Sequence, residues 1–567
     1  MFRIEERDGA PALCENGKPV PAFAYMTYLP ERGRWADFAA AGYRLFSLPV
    51  LFAGKSISMT KGLMPFGKGI FDGETPDFSG FDGTVERILG VCPDALLLPR
   101  VNVSLPDRWL DSHPEEADAT GAHESLCSPA AAAEAARLLT LFLAHVKERG
   151  LETRIAGYHL AGGATEEWFH FDMDSNIRCP AAEKGFREYL KNGNAAGEPE
   201  ETAYLLYRND AVTHYIAPLA STIKRETGGA PVGVFYGYSL EVTSPAWGTH
   251  ALGRLLNNPD IDFICSPNSY MGLRDPAADW TEMFPAASVR LHGKLAFQEC
   301  DIRTHLTRLL NEVAPAYDPG GALCAPVWRG PADPEMTRYM MRKTFCRQLI
   351  MGNGAWWFDM WGGWYADKRL MEELARMREI YEASLAAPHR ESVSEVAVFT
   401  DETSFSRMRD DSLRGAAFEQ RRFLGLAGAP CDYYDLSDFD AVKTKYKAAV
   451  FSVGCDSGAL THAVHTLEAA GVPYLKNSIE TPVFGTEELR AFYQKAGVHL
   501  YADAGDIVYV NAAFIAVCAL TPGEKTLSFP KKVTLADLFD GRPPLTGETV
   551  TVPMKAREVS LFRIGTA

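Results

Sequence analysis

The sequence lacks the marks of several protein classes. Its 11 cysteines, scattered from Cys14 to Cys518, include no C-x-x-C pair. That argues against a zinc ribbon or a disulfide framework and fits reduced thiols in a cytoplasm. No run of about 18 apolar residues occurs, so no membrane span is expected. The N-terminus, "MFRIEERDGAPALCENG", is charged and carries no apolar leader core. Positive charge is scarce: 57 Lys and Arg stand against 73 Asp and Glu, a net charge of −16. Nucleic acid and anionic membranes favour basic surfaces, so neither is expected as the main partner. There is no H-E-x-x-H, no internal repeat and no low-complexity tract.

Three partial motifs also fail. "GLMPFGKG" (62–69) imitates a phosphate loop but ends on Gly69 where Ser or Thr is needed. "DMDSN", starting at Asp172, opens like a calcium loop with Glu183 at the twelfth position, but its sixth position is Ile177 where the sharp turn needs glycine. "GCDSG" (454–458) puts Cys455 and Asp456 in the wrong places for a serine elbow.

What is present is length and alternation. A chain of 567 residues predicts two to four domains. Apolar runs that read as strands recur eight times: 21–28, 43–52, 94–103, 153–163, 231–238, 261–270, 294–301 and 354–361. Helix-like segments separate them. The plainest, 128–150, begins with Ser-Pro, keeps helical apolar spacing and ends on glycine. Eight βα units predict a closed (β/α)₈ TIM barrel over 1–390. A doubly wound open sheet is the alternative, but it usually has fewer units and often a glycine-rich phosphate turn after strand one. Over 391–503, "EVAVFTD", "KAAVFSVG" and "GVPYLKN" predict a small open α/β, flavodoxin-like domain, with oligomerisation as a role to consider. The tail, 504–567, is strand-rich with Gly/Pro turns and predicts a C-terminal β-sandwich.

Barrel sites form where strands end. Those ends are polar and aromatic here: Arg100 and Asn102 after strand three; Glu166 and Glu167 after four; Tyr236 and Tyr238 after five; Asn268 and Tyr270 after six; Glu299 and Asp301 after seven; Trp356, Trp357, Asp359 and Trp361 after eight. Carboxylates from two strands, ringed by tryptophans, suit a sugar: indole faces pack on pyranose C–H faces and carboxylates bind hydroxyls. The same pair can cleave a glycosidic bond as acid and nucleophile. In "AGGATEEWFHFDMD" (161–174) the adjacent glutamates repel each other beside Trp168, Phe169 and Phe171. A solvated helix start is the plain explanation; a carboxyl with a raised pKa is the functional one. Glu299 has its own plain explanation, a helix cap or an ion pair with Arg303. Asp301 is the rival nucleophile. Trp356 and Trp357 should point in opposite directions, as strand neighbours do. Trp361 and Trp364, in a "WGGW" loop, are the better sugar platforms. His159 and His305 could hold a hydroxyl or serve structure alone.

An acid/base after strand four and a nucleophile after strand seven resemble the clan of retaining (β/α)₈ glycoside hydrolases. The order barrel, open α/β domain, β domain resembles the family 42 β-galactosidases and covers nearly the whole chain. The clan usually has Asn-Glu after strand four, where Asn binds the substrate 2-hydroxyl; this chain has Glu166-Glu167. The resemblance implies Glu167 as acid/base, with Glu166 the alternative, and Glu299 as nucleophile. It implies that Tyr270 donates to that nucleophile, with Arg303 or Arg100 as other stabilisers. Substrate-binding candidates are Arg100, Asn102, His159, Tyr236, Asn268, Tyr270, Arg303, His305, Trp357, Asp359 and Trp361. The implied activity is exo-β-glycosidic hydrolysis of a small β-linked saccharide, first a β-galactoside, by double displacement. A β-mannosidase or another β-glycosidase of the clan, an inverting hydrolase, and a non-catalytic saccharide binder are the alternatives. No cofactor or metal is required, and a homo-oligomer, a trimer by resemblance, is implied.

Overall fold

The computed structural model describes residues 1–566 except 56–61, 174–177, 243, 280, 387–389, 409–412 and 414. Its centre is a closed barrel of eight parallel strands: β1 (Phe23–Met26), β2 (Leu45–Leu51), β3 (Leu96–Asn102), β4 (Tyr158–Ala161), β5 (Val232–Val234), β6 (Phe263–Pro267), β7 (Leu295–Cys300) and β8 (Gly354–Phe358). They neighbour one another in chain order, and β8 closes on β1 through pairs such as Trp357 with Tyr25. All eight fall inside the runs read from the sequence. They are shorter, because the polar ends of those runs leave the ladder and become loops.

The helix Pro129–Glu148 shows why the alternation holds. Ser128 Oγ accepts from the amide of Ala131 at 2.9 Å, and Pro129 fits the first turn, where no intrahelical N–H bond is lost. Ala131, Ala135, Leu138, Phe142 and Val146 then fall on one buried face. Each large apolar side chain so buried contributes roughly 1.5–3 kcal/mol. Two helices, Pro180–Lys191 and Glu200–Thr227, follow β4, parted by a segment in which Gly193 and Gly197 take positive φ.

Two features were not expected. The first residues form a three-stranded antiparallel sheet (Phe2–Arg7, Ala10–Glu15, Lys18–Pro19) before the barrel begins. The open α/β unit has a strand missed in the sequence, β10 (Cys431–Asp435), beside β9 (Val396–Thr400), β11 (Ala448–Phe451) and β12 (Tyr474–Lys476). All four are parallel, in the order β10-β9-β11-β12. "CDYYD" carries an Asp at both its second and last positions, which hid the strand.

The tail is strand-rich, as expected, and its strands join into one antiparallel five-stranded sheet: β13 (Ile507–Val510), β14 (Phe514–Cys518), β15 (Gly523–Asp537), β16 (Leu545–Met554) and β17 (Val559–Thr566). The register of β15 shifts between Ser528 and Val533, bending the strand. One face, with Val508, Ile515, Leu527, Val552 and Phe562, encloses its own core. The other, with Tyr509, Phe514, Cys518 and Leu561, joins the barrel core near the helix Pro334–Met351. All eleven cysteines are free thiols. Among the described residues, no helix is long and apolar enough to cross a membrane.

Candidate active site

The turn after β4 is not a helix start. Thr165, Glu166 and Trp168 take φ values of 58°, 66° and 60°, which side-chain-bearing residues rarely adopt. Short bridges pair Gly162 with Glu167 and Ala164 with Phe169, folding the segment back on itself. Gly163 is required there: its φ is 66°, and a Cβ would lie 2.5 Å from the Phe169 carbonyl oxygen. The reversal sends the two glutamates in different directions.

Glu166 is buried and fully engaged. Its carboxylate pairs with Arg100 Nε at 2.9 Å and accepts from Tyr28 Oη at 2.9 Å and Asn102 Nδ2 at 3.2 Å. Glu167 faces a cavity of about 260 Å³ at the carboxyl ends of the strands. It accepts from the hydroxyls of Thr165 and Tyr238. Its side chain keeps some solvent contact, yet the surrounding protein desolvates the carboxyl enough to push its pKa up to about 7 against those two donors and Arg100. Trp168, expected to desolvate Glu167, is buried elsewhere, with its indole N–H on the Leu160 carbonyl. Phe169 lines the cavity instead.

Glu299, the next-to-last residue of β7, faces the same cavity. Arg100 Nη1 lies 3.3 Å from its Oε2. Burial pushes its pKa up; Arg100 opposes this, while Asp301 and Glu167 add repulsion. Asp301, the rival, is held by Arg274 at 2.8 Å and by Arg303. Burial alone would raise its pKa, but the two guanidiniums hold it low. Tyr270 lines the cavity but donates to Asp301 at 3.3 Å, not to Glu299 as the resemblance implied.

Aromatic rings wall the cavity. Tyr28 stacks on Phe66 at 5.2 Å, and Trp361 lies 5.6 Å from Phe66 and 6.1 Å from Trp328. Arg303 fixes Trp328 from behind, its guanidinium 4.8 Å from the ring centre. Asp359 shapes the WGGW turn by accepting from the amides of Gly363 at 2.9 Å and Trp364 at 2.8 Å. Burial raises its pKa to about 6, and it does not face the cavity.

Of the predicted binding residues, the structure brings Arg100, Tyr270 and Trp361 to the cavity wall with the two glutamates. Asn102 and Arg303 lie behind it as supports. The others are elsewhere, each for a packing reason. His159 sits inside the barrel among Phe235, Phe263 and Trp356. Trp356 points inward and Trp357 outward, its indole N–H on Tyr43 at 2.9 Å, so neither reaches the cavity. Tyr236 donates to the Gly248 carbonyl at 2.6 Å. Asn268 is pinned to Thr344 and Gln348 of the helix Pro334–Met351. His305 caps onto Thr337. Tyr28, Phe66 and Trp328 were not foreseen. Tyr28 ends the strand-one run and carried a readable signal; Phe66, in a loop, and Trp328, at the end of the short 3-10 helix Pro326–Trp328, carried none.

Among the described residues, no cluster of three or more His, Cys, Asp or Glu is arranged to hold a metal ion. Residues 174–177 of the calcium-loop match lie outside the described residues.

No family model matches the sequence, and no curated protein matches it. Solved structures match it along nearly its whole length. A β-galactosidase from Bacillus circulans sp. alkalophilus superposes with a TM-score of 0.64 at 13% identity, covering 99% of this chain and 100% of its own. An exo-carrageenase from Bacteroides ovatus, of family 42, gives 0.61 at 11%, covering 100% and 84%. An α-L-fucosidase isoenzyme 2 from Paenibacillus thiaminolyticus gives 0.56 at 11%, covering 97% and 100%. At these identities the likeness is one of fold.

Proposed function

We propose that this chain, which has the fold of the family 42 β-galactosidases, is a retaining β-glycosidase acting on small β-linked saccharides, with Glu167 as acid/base and Glu299 as nucleophile. One observation carries this reading. Of the four carboxylates at the ends of β4 and β7, Glu166 and Asp301 are consumed by internal cations and donors, while Glu167 and Glu299 face one aromatic-walled cavity.

In this mechanism Glu167, with a pKa near neutrality, protonates the leaving oxygen as Glu299 attacks the anomeric carbon. A glycosyl ester forms on Glu299. Glu167, now ionised, takes a proton from water, and that water releases the sugar with retention. Arg100, 3.3 Å from Glu299, favours the ionised form that attack requires, against burial and the repulsion of Asp301 and Glu167. β-Galactosides are the first substrates to test and β-mannosides the second. The named activities of the structural neighbours include a β-galactosidase, a carrageenase and a fucosidase, so pocket chemistry rather than fold must decide.

The upward push on Glu299 favours one competing reading, a saccharide-binding protein, since a nucleophile must be ionised. A panel of p-nitrophenyl glycosides separates the two. An enzyme cleaves one β-glycoside, loses turnover in Glu299→Gln, and regains it with azide in Glu167→Ala but not in Glu166→Ala. A binder cleaves nothing, and its Glu299→Gln variant keeps its affinity. Product stereochemistry by NMR tests retention against inversion.

A further inference from the structure

Arg421 lies on the helix Ala416–Gly425 of the open α/β unit, yet its side chain is buried against barrel loops. Its Nη1 donates to Thr281 Oγ1 at 3.0 Å and to the Glu282 carbonyl at 2.8 Å, and its Nη2 pairs with Glu241. Glu241 follows β5. Its carboxylate accepts from the Tyr270 amide at 2.9 Å and from the Ser269 hydroxyl, also at 2.9 Å. Its own amide donates to the Tyr238 carbonyl at 3.0 Å. The Ser269 amide donates to the Thr281 carbonyl at 3.2 Å, closing the loop at its far end. Tyr238 and Tyr270 both line the cavity: Tyr238 donates to Glu167, and Tyr270 to Asp301.

We infer that Arg421 is a positioning residue for the cavity: reaching in from the second unit and acting through Glu241, it fixes the loops that carry Tyr238 and Tyr270. This rests on the glycosidase reading for its kinetic consequence, though not for its mechanical one. Arg421 differs from cations that only dock the two units. Arg407 pairs with Glu198 at 2.7 Å and Arg290 with Asp432 at 3.5 Å, and among the described residues neither pair touches one that lines the cavity. Removing Arg421 leaves the mostly enclosed Glu241 carboxylate without its cation, so the loops must shift to solvate it. A shift of about 1 Å at residues that orient reacting groups can cost about 100-fold in rate.

The test compares Arg421→Met, Arg421→Lys, Glu241→Gln, the Arg421→Met/Glu241→Gln pair and Arg407→Met with the wild type. The probe is the p-nitrophenyl glycoside the wild type cleaves best, and amide hydrogen exchange is followed over 266–279. Expected for Arg421→Met are a fall of about 10- to 100-fold in kcat/KM, mostly in kcat, an alkaline limb moved to higher pH as Tyr238 loosens from Glu167, and faster exchange in 266–279. Lysine should restore part of each, the double variant should be no worse than Arg421→Met, and Arg407→Met should match the wild type. If Arg421→Met fails to fold, Glu241→Gln carries the same readouts with Arg421 in place. Wild-type kinetics and exchange in the Arg421 and Glu241 variants would overturn the inference, as would an equal loss in Arg407→Met. A wild type that cleaves no glycoside sinks the proposed function, while exchange still decides the role of Arg421.

Discussion

Glu166 and Glu299 share one guanidinium. Arg100 presents Nε to Glu166 at 2.9 Å and Nη1 to Glu299 at 3.3 Å, its guanidinium 4.6 Å from the ring centre of Phe235 and 5.4 Å from that of Tyr28. The charge available to Glu299 is thus set by a neighbour that never faces the cavity. Glu166→Gln should free Arg100 to bind Glu299 more tightly and make it a poorer nucleophile. The expected result is a kcat lower by about 10-fold, unmoved by azide, with a stability loss of up to about 3–5 kcal/mol in urea melts for the broken buried pair.

Glu167→Ala should lower kcat by about 10²- to 10⁴-fold on substrates with poor leaving groups. Dinitrophenyl glycosides need little acid assistance and should lose far less in the first step. Pre-steady-state kinetics would then show a burst, because the second step still lacks its base. A uniform loss across leaving groups would count against Glu167 as the acid.

Tyr238 donates to Glu167 and thereby favours its ionised form. Tyr238→Phe removes that donor, so the pKa of Glu167 should rise and the alkaline limb of kcat/KM should move to higher pH. A limb that stays put or moves down would break the assignment of that limb to Glu167.

The same carboxyl makes a signed prediction about stability. An unfolded Glu titrates near 4.5, and folding raises Glu167 to about 7. Between those values the folded state binds the extra proton. Its contribution to stability is therefore full below about pH 4.5 and lost as pH rises through about 7. Glu167→Gln should gain on the wild type as pH rises across that window, by about 2 kcal/mol after allowance for the partly open side chain. Denaturant titrations at pH 4, 6 and 8 would show it. A constant difference would mean that Glu167 is not shifted.

The barrel was legible because alternation is a long-range signal carried by many residues at once, and no single misread residue could hide eight strands. The site was legible only where a strand end coincides with a charged or aromatic residue, as at Arg100, Glu167, Glu299 and Trp361. His159, Tyr236, Asn268 and Trp357 occupy the same kind of position. Alternation sends neighbouring side chains to opposite faces, and a few residues' uncertainty in where a strand ends reverses that assignment. His159 therefore went to the barrel core and Trp357 to the helix layer. The separation of Glu166 from Glu167 depends on three left-handed residues in a row of four, which no residue type announces. Asp301 could be told from Glu299 only once Arg274, well away in sequence, was seen to hold it.

The C-terminal sheet has a further consequence, for the order of events on the ribosome. Its last strand, β17, lies between β14 and β15, in the middle of the sheet rather than at an edge. Until residues 559–566 emerge, β14 and β15 have no common neighbour, and only the hairpin β13–β14 can pack on the helix Pro334–Met351. A nascent chain reaching only Met554 holds every strand of the barrel and that hairpin, but not the strand that joins the hairpin to β15 and β16. This segment of the sequence, distant from every residue that lines the cavity, therefore joins two separate hairpins into the single sheet that covers one side of the barrel.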